Sequence, residues 1–255
     1  MKKLMVCLLA IFVLISFAGC NNSVADDSGI NVNNGIKNEQ LQENTNFSEG
    51  LVFKSNGDGT CAVSGVGTCT DVEVCIPSKS RQGDVVISIS RDAFYKADFV
   101  KKVIIPDTVT EIGNSAFEFS NITEITIPKS VAFIDEHAFK NCNNLSTVNI
   151  LGGNNMVIGK GVFSRCYGLK NIKIPNGVEV IGKDCFYNSG VESIILPISL
   201  TEIKGNAFNS CTSLESITYE GTVADWMAVD TGVHWNYGAP VKEVICTDGI
   251  YSLVE

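Results

Sequence analysis

The sequence predicts a mostly β, right-handed solenoid of about six repeats, 22–24 residues each, with a cap at either end. Three observations predict it. A phenylalanine recurs at Phe94, Phe117, Phe139, Phe163, Phe186 and Phe208, at intervals of 23, 22, 24, 23 and 22 residues. Each interval holds a short apolar alternation, and each regular interval a second apolar piece. One such turn would leave its apolar side chains facing nothing, whereas stacking a second turn on it covers them.

The first residues, MKKLMVCLLAIFVLISFAGC, place Lys2 and Lys3 before an apolar run, Leu4 to Ala18, that is short for a membrane span. The run closes on Phe17-Ala18-Gly19-Cys20, which resembles the lipobox of bacterial lipoproteins, with Phe17 where Leu is usual. A signal peptide over residues 1–19 and lipidation at Cys20 are expected; an ordinary secretory signal with an incidental Cys20 is the alternative. Removing residues 1–19 leaves 17 basic against 28 acidic residues, a net charge of −11. Residues 20–48 hold the lipidated Cys and a flexible tether, because this Asn-, Asp- and Ser-rich stretch has too little apolar surface to offset its ordering entropy. The address is a lipid-anchored, surface-exposed position in the cell envelope, on the outer membrane if the cell has two.

An N-terminal cap is expected over residues 49–87. NGDGT at 56–60 lacks the twelve-residue spacing of a calcium loop and reads as a turn. Cys61, Cys69 and Cys75 lie close in sequence, and one pair could bridge.

The solenoid is expected over residues 88–219. Val103-x-Ile105, Ile125-x-Ile127, Val148-x-Ile150, Ile172-x-Ile174, Ile194-x-Leu196 and Ile217-x-Tyr219 alternate at period two, the mark of a half-buried strand. Pro106, Pro128, Pro175 and Pro197 end four of these strands. The second piece is Val109-x-x-Ile112 and its counterparts at Val131, Val178 and Leu200. The turn between Val148 and Phe163 departs: Leu151-Gly152-Gly153 stands where Pro is usual, and one residue is inserted, so a local bulge is expected. Cys142, Cys166 and Cys211, each three residues after a repeat Phe, and Cys185 read as buried free thiols, since side-by-side inward cysteines suit a disulfide poorly. His137 falls in a column with Ser115, Gly161, Asp184 and Asn206 that reads as polar and exposed. Residues 220–255 form a C-terminal capping module in which Trp226, Trp235 and Tyr237 would cover the last rung, or offer a sugar-stacking platform.

VIIPDTVTEIGNSAF, ITIPKSVAFIDEHAF, IKIPNGVEVIGKDCF and IILPISLTEIKGNAF resemble the BspA-like leucine-rich-repeat surface proteins of bacteria and some protists. The resemblance covers residues 51–251 and implies an α/β fold by leucine-rich-repeat convention, with short turns or 3-10 segments. It also implies adhesion to host or cell-surface proteins.

The function expected is that of a non-enzymatic protein-binding or adhesion module. The outward positions of the alternating strands are free of core duty: Lys102, Glu124, Thr147, Asn171, Ser193 and Ser216 in one column, Ile104, Thr126, Asn149, Lys173, Ile195 and Thr218 in the next. A structural envelope scaffold and a glycan-binding module are the alternatives. No nucleophile, base or metal motif is present, and no cofactor is expected. A balance of 19 basic to 28 acidic residues argues against nucleic acid.

Overall fold

A computed structural model describes residues 47–152 and 155–253. The expected signal peptide, Cys20 and the tether to residue 46 lie outside the described residues. Ser48 is already tied to the cap: its N–H donates to the Cys75 carbonyl, and its Oγ accepts from the Cys75 N–H, each at 3.0 Å.

The chain opens with β1 (Val52–Ser55), β2 (Thr60–Gly65), β3 (Glu73–Cys75) and β4 (Val85–Ile89). It then alternates between two sides of a coil through β5 (Lys102–Ile104), β6 (Glu111–Ile112), β7 (Glu124–Ile127), β8 (Phe133–Ile134), β9 (Thr147–Ile150), β10 (Met156–Ile158), β11 (Asn171–Lys173), β12 (Val178–Ile181), β13 (Ser193–Leu196), β14 (Glu202–Ile203) and β15 (Ser216–Tyr219). Helix α1 (Val223–Met227), β16 (Asp230–Thr231), β17 (Glu243–Ile245) and β18 (Ile250–Ser252) close it.

The second apolar piece of each turn forms the longest ladder, β1-β2-β4-β6-β8-β10-β12-β14-β16. Its strands of two to four residues at the repeats are too short to show a period in sequence. The alternating strands form the other side as two sheets, β3-β5-β7-β9 and β11-β13-β15-β17-β18. Among the strand pairs of the described residues, the end hairpins β1/β2 and β17/β18 are antiparallel and the rest parallel. From β2 to β16 the ladder has eight parallel rungs, so the coil runs to about eight turns against six recurring phenylalanines. The difference lies in the caps, whose strands pair in register with the repeats at both ends.

The six repeat phenylalanines are fully buried and stack with centroids 4.9–5.5 Å apart and planes within 18° of parallel. That spacing is close to the separation of paired strands. The backbone joins the rungs here too, as in the Phe94 N–H to Ala116 carbonyl bond at 2.6 Å and its equivalent from Phe117 to Ala138 at 2.7 Å. Two residues per turn flank the column in the left-handed region. Asp92, Ser115, His137, Gly161, Asp184 and Asn206 lie two residues before each Phe, at φ between +52° and +62°. Lys96, Phe119, Asn141, Arg165, Asn188 and Ser210 lie two residues after, at φ between +51° and +60°. The first of these columns was expected to be exposed. Ser115 and Gly161 are buried and His137 half-buried, because the position answers to backbone conformation rather than to solvent.

Phe208 ends the column against Trp235, edge-on at 6.1 Å, and Trp226 packs on both Trp235 and Tyr219. Trp226 sits in α1, whose start is fixed by a reciprocal pair: Asp225 N–H donates to Thr222 Oγ1, and Thr222 N–H donates to the Asp225 carboxylate. Trp226 and Trp235 are 3% and 9% exposed, so they cap the coil and form no sugar platform. Tyr237, expected to cover the last rung, is instead 67% exposed.

The departing turn bulges. The β10–β12 register shifts between Met156 and Ile158, and β9 is not laddered to β11. Gly152 turns there at φ +87°, buried against Pro175. NGDGT is the β1–β2 hairpin turn, in which the Asp58 carboxylate accepts from the Thr60 N–H and hydroxyl at 3.0 and 2.6 Å.

Cys142, Cys166, Cys185 and Cys211 are buried free thiols. Three of them donate S–H to the carbonyl of the preceding turn's Phe, at 3.0, 3.0 and 2.9 Å. Burial pushes the Cys142 thiol up to about 12. Cys61 and Cys69 are free thiols, so neither is bridged.

Candidate binding face

The outward residues are placed by strand alternation. Along β7 and β9 the second and fourth positions, Ile125, Ile127, Val148 and Ile150, turn into the core, which leaves Glu124, Thr126, Thr147 and Asn149 outside. Parallel register lines these up from rung to rung. One column runs Lys102, Glu124 and Thr147, and Thr126 neighbours Asn149. Beyond the bulge, Asn171, Ser193 and Ser216 continue one line, and Lys173, Ile195 and Thr218 the other. All are exposed or half-exposed. The sheet break divides the twelve residues equally. Lys102, Ile104, Glu124, Thr126, Thr147 and Asn149 form an N-terminal patch, and the other six a C-terminal one.

The two patches differ in chemistry. In the first, Lys102 Nζ meets Glu124 Oε1 at 2.5 Å, and that carboxylate holds the ammonium above its ordinary range. In the second, Lys173 reaches Glu220 at 2.5 Å, Ser193 donates to Asn171 Oδ1 at 2.6 Å, and Lys170 pairs with Glu192 at 3.0 Å. Exposed pairs of this kind contribute about 0–1 kcal/mol each. They orient side chains more than they hold the fold together. Ile104 and Ile195 are half-buried; Ile195 lies between Lys173 and Thr218.

Sequence reasoning missed the extension of this face into both caps. Glu73 of β3 continues the first column beside Lys102, and Ile245 of β17 continues the second beside Thr218, exposed at 46%. The signal was available: Glu243-Val244-Ile245 repeats the outward-inward-outward pattern and Glu73-Val74 its first two positions. Without the recurring Phe they do not stand out. Among the described residues no group of His, Cys, Asp and Glu could hold a metal ion. No described helix is long and apolar enough to cross a membrane.

The arrangement matches known repeat proteins. The BspA type leucine-rich-repeat region matches residues 87–215 in six copies. A leucine-rich-repeat protein of T. pallidum is similar at 25% identity with a TM-score of 0.65, over 75% of this chain and 88% of that one. A leucine-rich cell surface protein of Faecalibacterium prausnitzii A2-165 is similar at 26% identity with a TM-score of 0.53, over 76% of this chain and 56% of that one. No curated protein matches the sequence. The period, the stacked phenylalanines and six matching repeats together place this chain in the BspA-type leucine-rich-repeat family.

Proposed function

We propose that this protein is a surface-displayed lipoprotein, anchored through Cys20, that binds a protein on a host or neighbouring cell through the two patches of its alternating-strand face. The observation that carries the reading is a contrast within each strand. Inward positions repeat as Val or Ile, with Leu196 and Tyr219 the exceptions, while outward ones range over Lys, Glu, Thr, Asn, Ser and Ile. Core positions repeat because they do one job; a recognition surface has no reason to repeat. The similarity to a cell surface protein of F. prausnitzii supports the location.

The test compares two triple variants of the full mature chain. Lys102→Glu, Asn149→Ala and Lys173→Glu alter the proposed face. Thr110→Ala, Glu179→Ala and Thr201→Ala alter exposed positions on the opposite ladder. Attachment to immobilised host and envelope proteins should weaken at least about tenfold, or 1.4 kcal/mol, in the first variant only. Unchanged attachment in a folded first variant refutes the face. No saturable attachment by the wild type favours the alternative of an envelope scaffold.

A further inference from the structure

The turn column carries a second, chemically distinct surface. A groove of about 330 Å³ opens across three consecutive turns, between His137 and Lys140 on one, Lys160, Gly161, Ser164 and Arg165 on the next, and Asp184 and Tyr187 on the third. Its floor is made by a missing side chain. Gly161 is the one glycine of its column among the six repeats, at φ +62°, and a Cβ on it would lie 2.6 Å from His137 Cδ2. The imidazole therefore lies over the glycine. The groove sits on the turn that carries the inserted residue.

Its charge opposes that of the chain. Lys140, Lys160 and Arg165 face a single acid, Asp184, in a protein of net charge −9. Lys140 pairs with Glu118 at 3.3 Å, but neither Lys160 nor Arg165 makes an ion pair with any described residue. Both are exposed, and Arg165 is held at φ +58°, a conformation that its side chain does not favour. Burial and the neighbouring Lys140 and Lys160 hold His137 below its usual range, despite Glu118 and Glu136 nearby. The imidazole is then neutral at pH 7 and leaves the two free cations to set the field.

We propose that this groove binds an acidic sugar residue of a glycan, with Lys160 and Arg165 engaging its carboxylate or sulfate group. Arg offers a planar pair of donors suited to such groups. Asp184 is the reason to choose a sugar over a phosphate polymer. A carboxylate in the wall accepts hydrogen bonds from sugar hydroxyls, which a DNA phosphate backbone does not offer. Tyr187 adds an aromatic ring to the same wall. The volume lies at the low end of small-molecule sites, about 300–1,000 Å³, which fits one or two sugar units and not a long chain. The site lies away from the alternating-strand face and does not depend on the protein partner proposed for it.

The experiment measures binding of the mature chain to a size-defined heparin hexasaccharide and to 3′-sialyllactose, by calorimetry at low salt. N- and O-desulfated heparin hexasaccharide, lactose, sodium sulfate and a six-nucleotide single-stranded DNA serve as controls. Binding of at least one acidic sugar, weakened about tenfold or more by Lys160→Ala with Arg165→Ala and unaffected by Lys54→Ala in the N-terminal cap, is expected. Circular dichroism checks that the double variant folds; both its positions are exposed. Absent binding of both acidic sugars, equal binding of their neutral counterparts, or an undiminished signal in the folded double variant overturns the proposal. Equal affinity for sodium sulfate or the DNA overturns the sugar assignment.

Discussion

Truncating Phe139 to Ala removes the third ring of a six-ring column. The ring is fully buried and lies between Phe117, 5.0 Å away and 7° from parallel, and Phe163, 5.5 Å away and 8° from parallel. A buried Phe→Ala change costs about 3–5 kcal/mol. The upper half of that range applies here, because the rung above and the rung below are held at fixed spacing by backbone hydrogen bonds on three sides and cannot collapse into the void. Phe163→Ala empties the adjacent site. The two cavities merge, so the second truncation removes a contact that the first has already lost, and the pair should couple by about 0.5–3 kcal/mol. Phe94 and Phe208 stand at opposite ends with four rings between them, and their truncations should add within about 0.5 kcal/mol. Urea titrations of the four single and two double variants, under reversible conditions, give both coupling energies. Equal coupling in the two pairs would refute the stacked column as the unit of stability.

Other consequences follow from the same geometry. Trp226→Ala should cost about 3–5 kcal/mol, read by thermal unfolding, because it uncaps the last rung; an unchanged midpoint would mean that the indole covers nothing. Gly161→Ala should destabilise by about 1–2 kcal/mol from its left-handed φ alone, and by more while the His137 ring is in place, so the cost should shrink in a His137→Ala background. Cys142 is raised from 9.0 to about 12 in the fold, so the stability it contributes is fully present below pH 9 and lost as pH climbs toward 12. In native protein at pH 8 it should react with Ellman's reagent only upon unfolding. Cys20→Ala should abolish palmitate labelling in the bacterial host, and surviving label would refute the lipid anchor.

The column was legible because Phe recurs with so little drift, and the alternating strands because Ile-x-Ile is long enough to show period two. The capping Trp pair was legible too, since a bare last rung would expose apolar surface. Other features were hidden for identifiable reasons. The nine-stranded ladder is built at the repeats largely from strands such as Glu111–Ile112 and Phe133–Ile134, where two residues cannot display a period. The left-handed columns were hidden because the conformation tolerates several residue types. Ser115, His137 and Gly161 share a backbone angle and almost no side-chain chemistry, and Phe119 and Arg165 occupy the other column at a conformational cost. A polar column was therefore mistaken for an exposed one. The groove was hidden more deeply. Its cations sit at unequal positions of two turns, and only the coil brings Lys140, Lys160 and Arg165 together.

The turn that breaks the repeat connects these points. In a coil each rung contacts only its neighbours, so regular turns present regular faces and their surface can change only one side chain at a time. An inserted residue acts differently, because it shifts the backbone of one rung against both adjacent ones. Between Val148 and Phe163 the insertion coincides with a break of the alternating-strand face into two patches and a shift of the β10–β12 register, and the missing side chain of Gly161 opens the groove on the same turn. The core column passes through unbroken, slightly widened, with Phe139 and Phe163 still stacked at 5.5 Å. The irregularity therefore changes two surfaces while the packing that stabilises the coil continues beneath it. A local rule broken without disturbing the core is where function is most reasonably sought. Deleting the inserted residue should test the face by itself, since restoring the 23-residue period should rejoin β9 to β11 with little loss of stability, while the groove over Gly161 should persist.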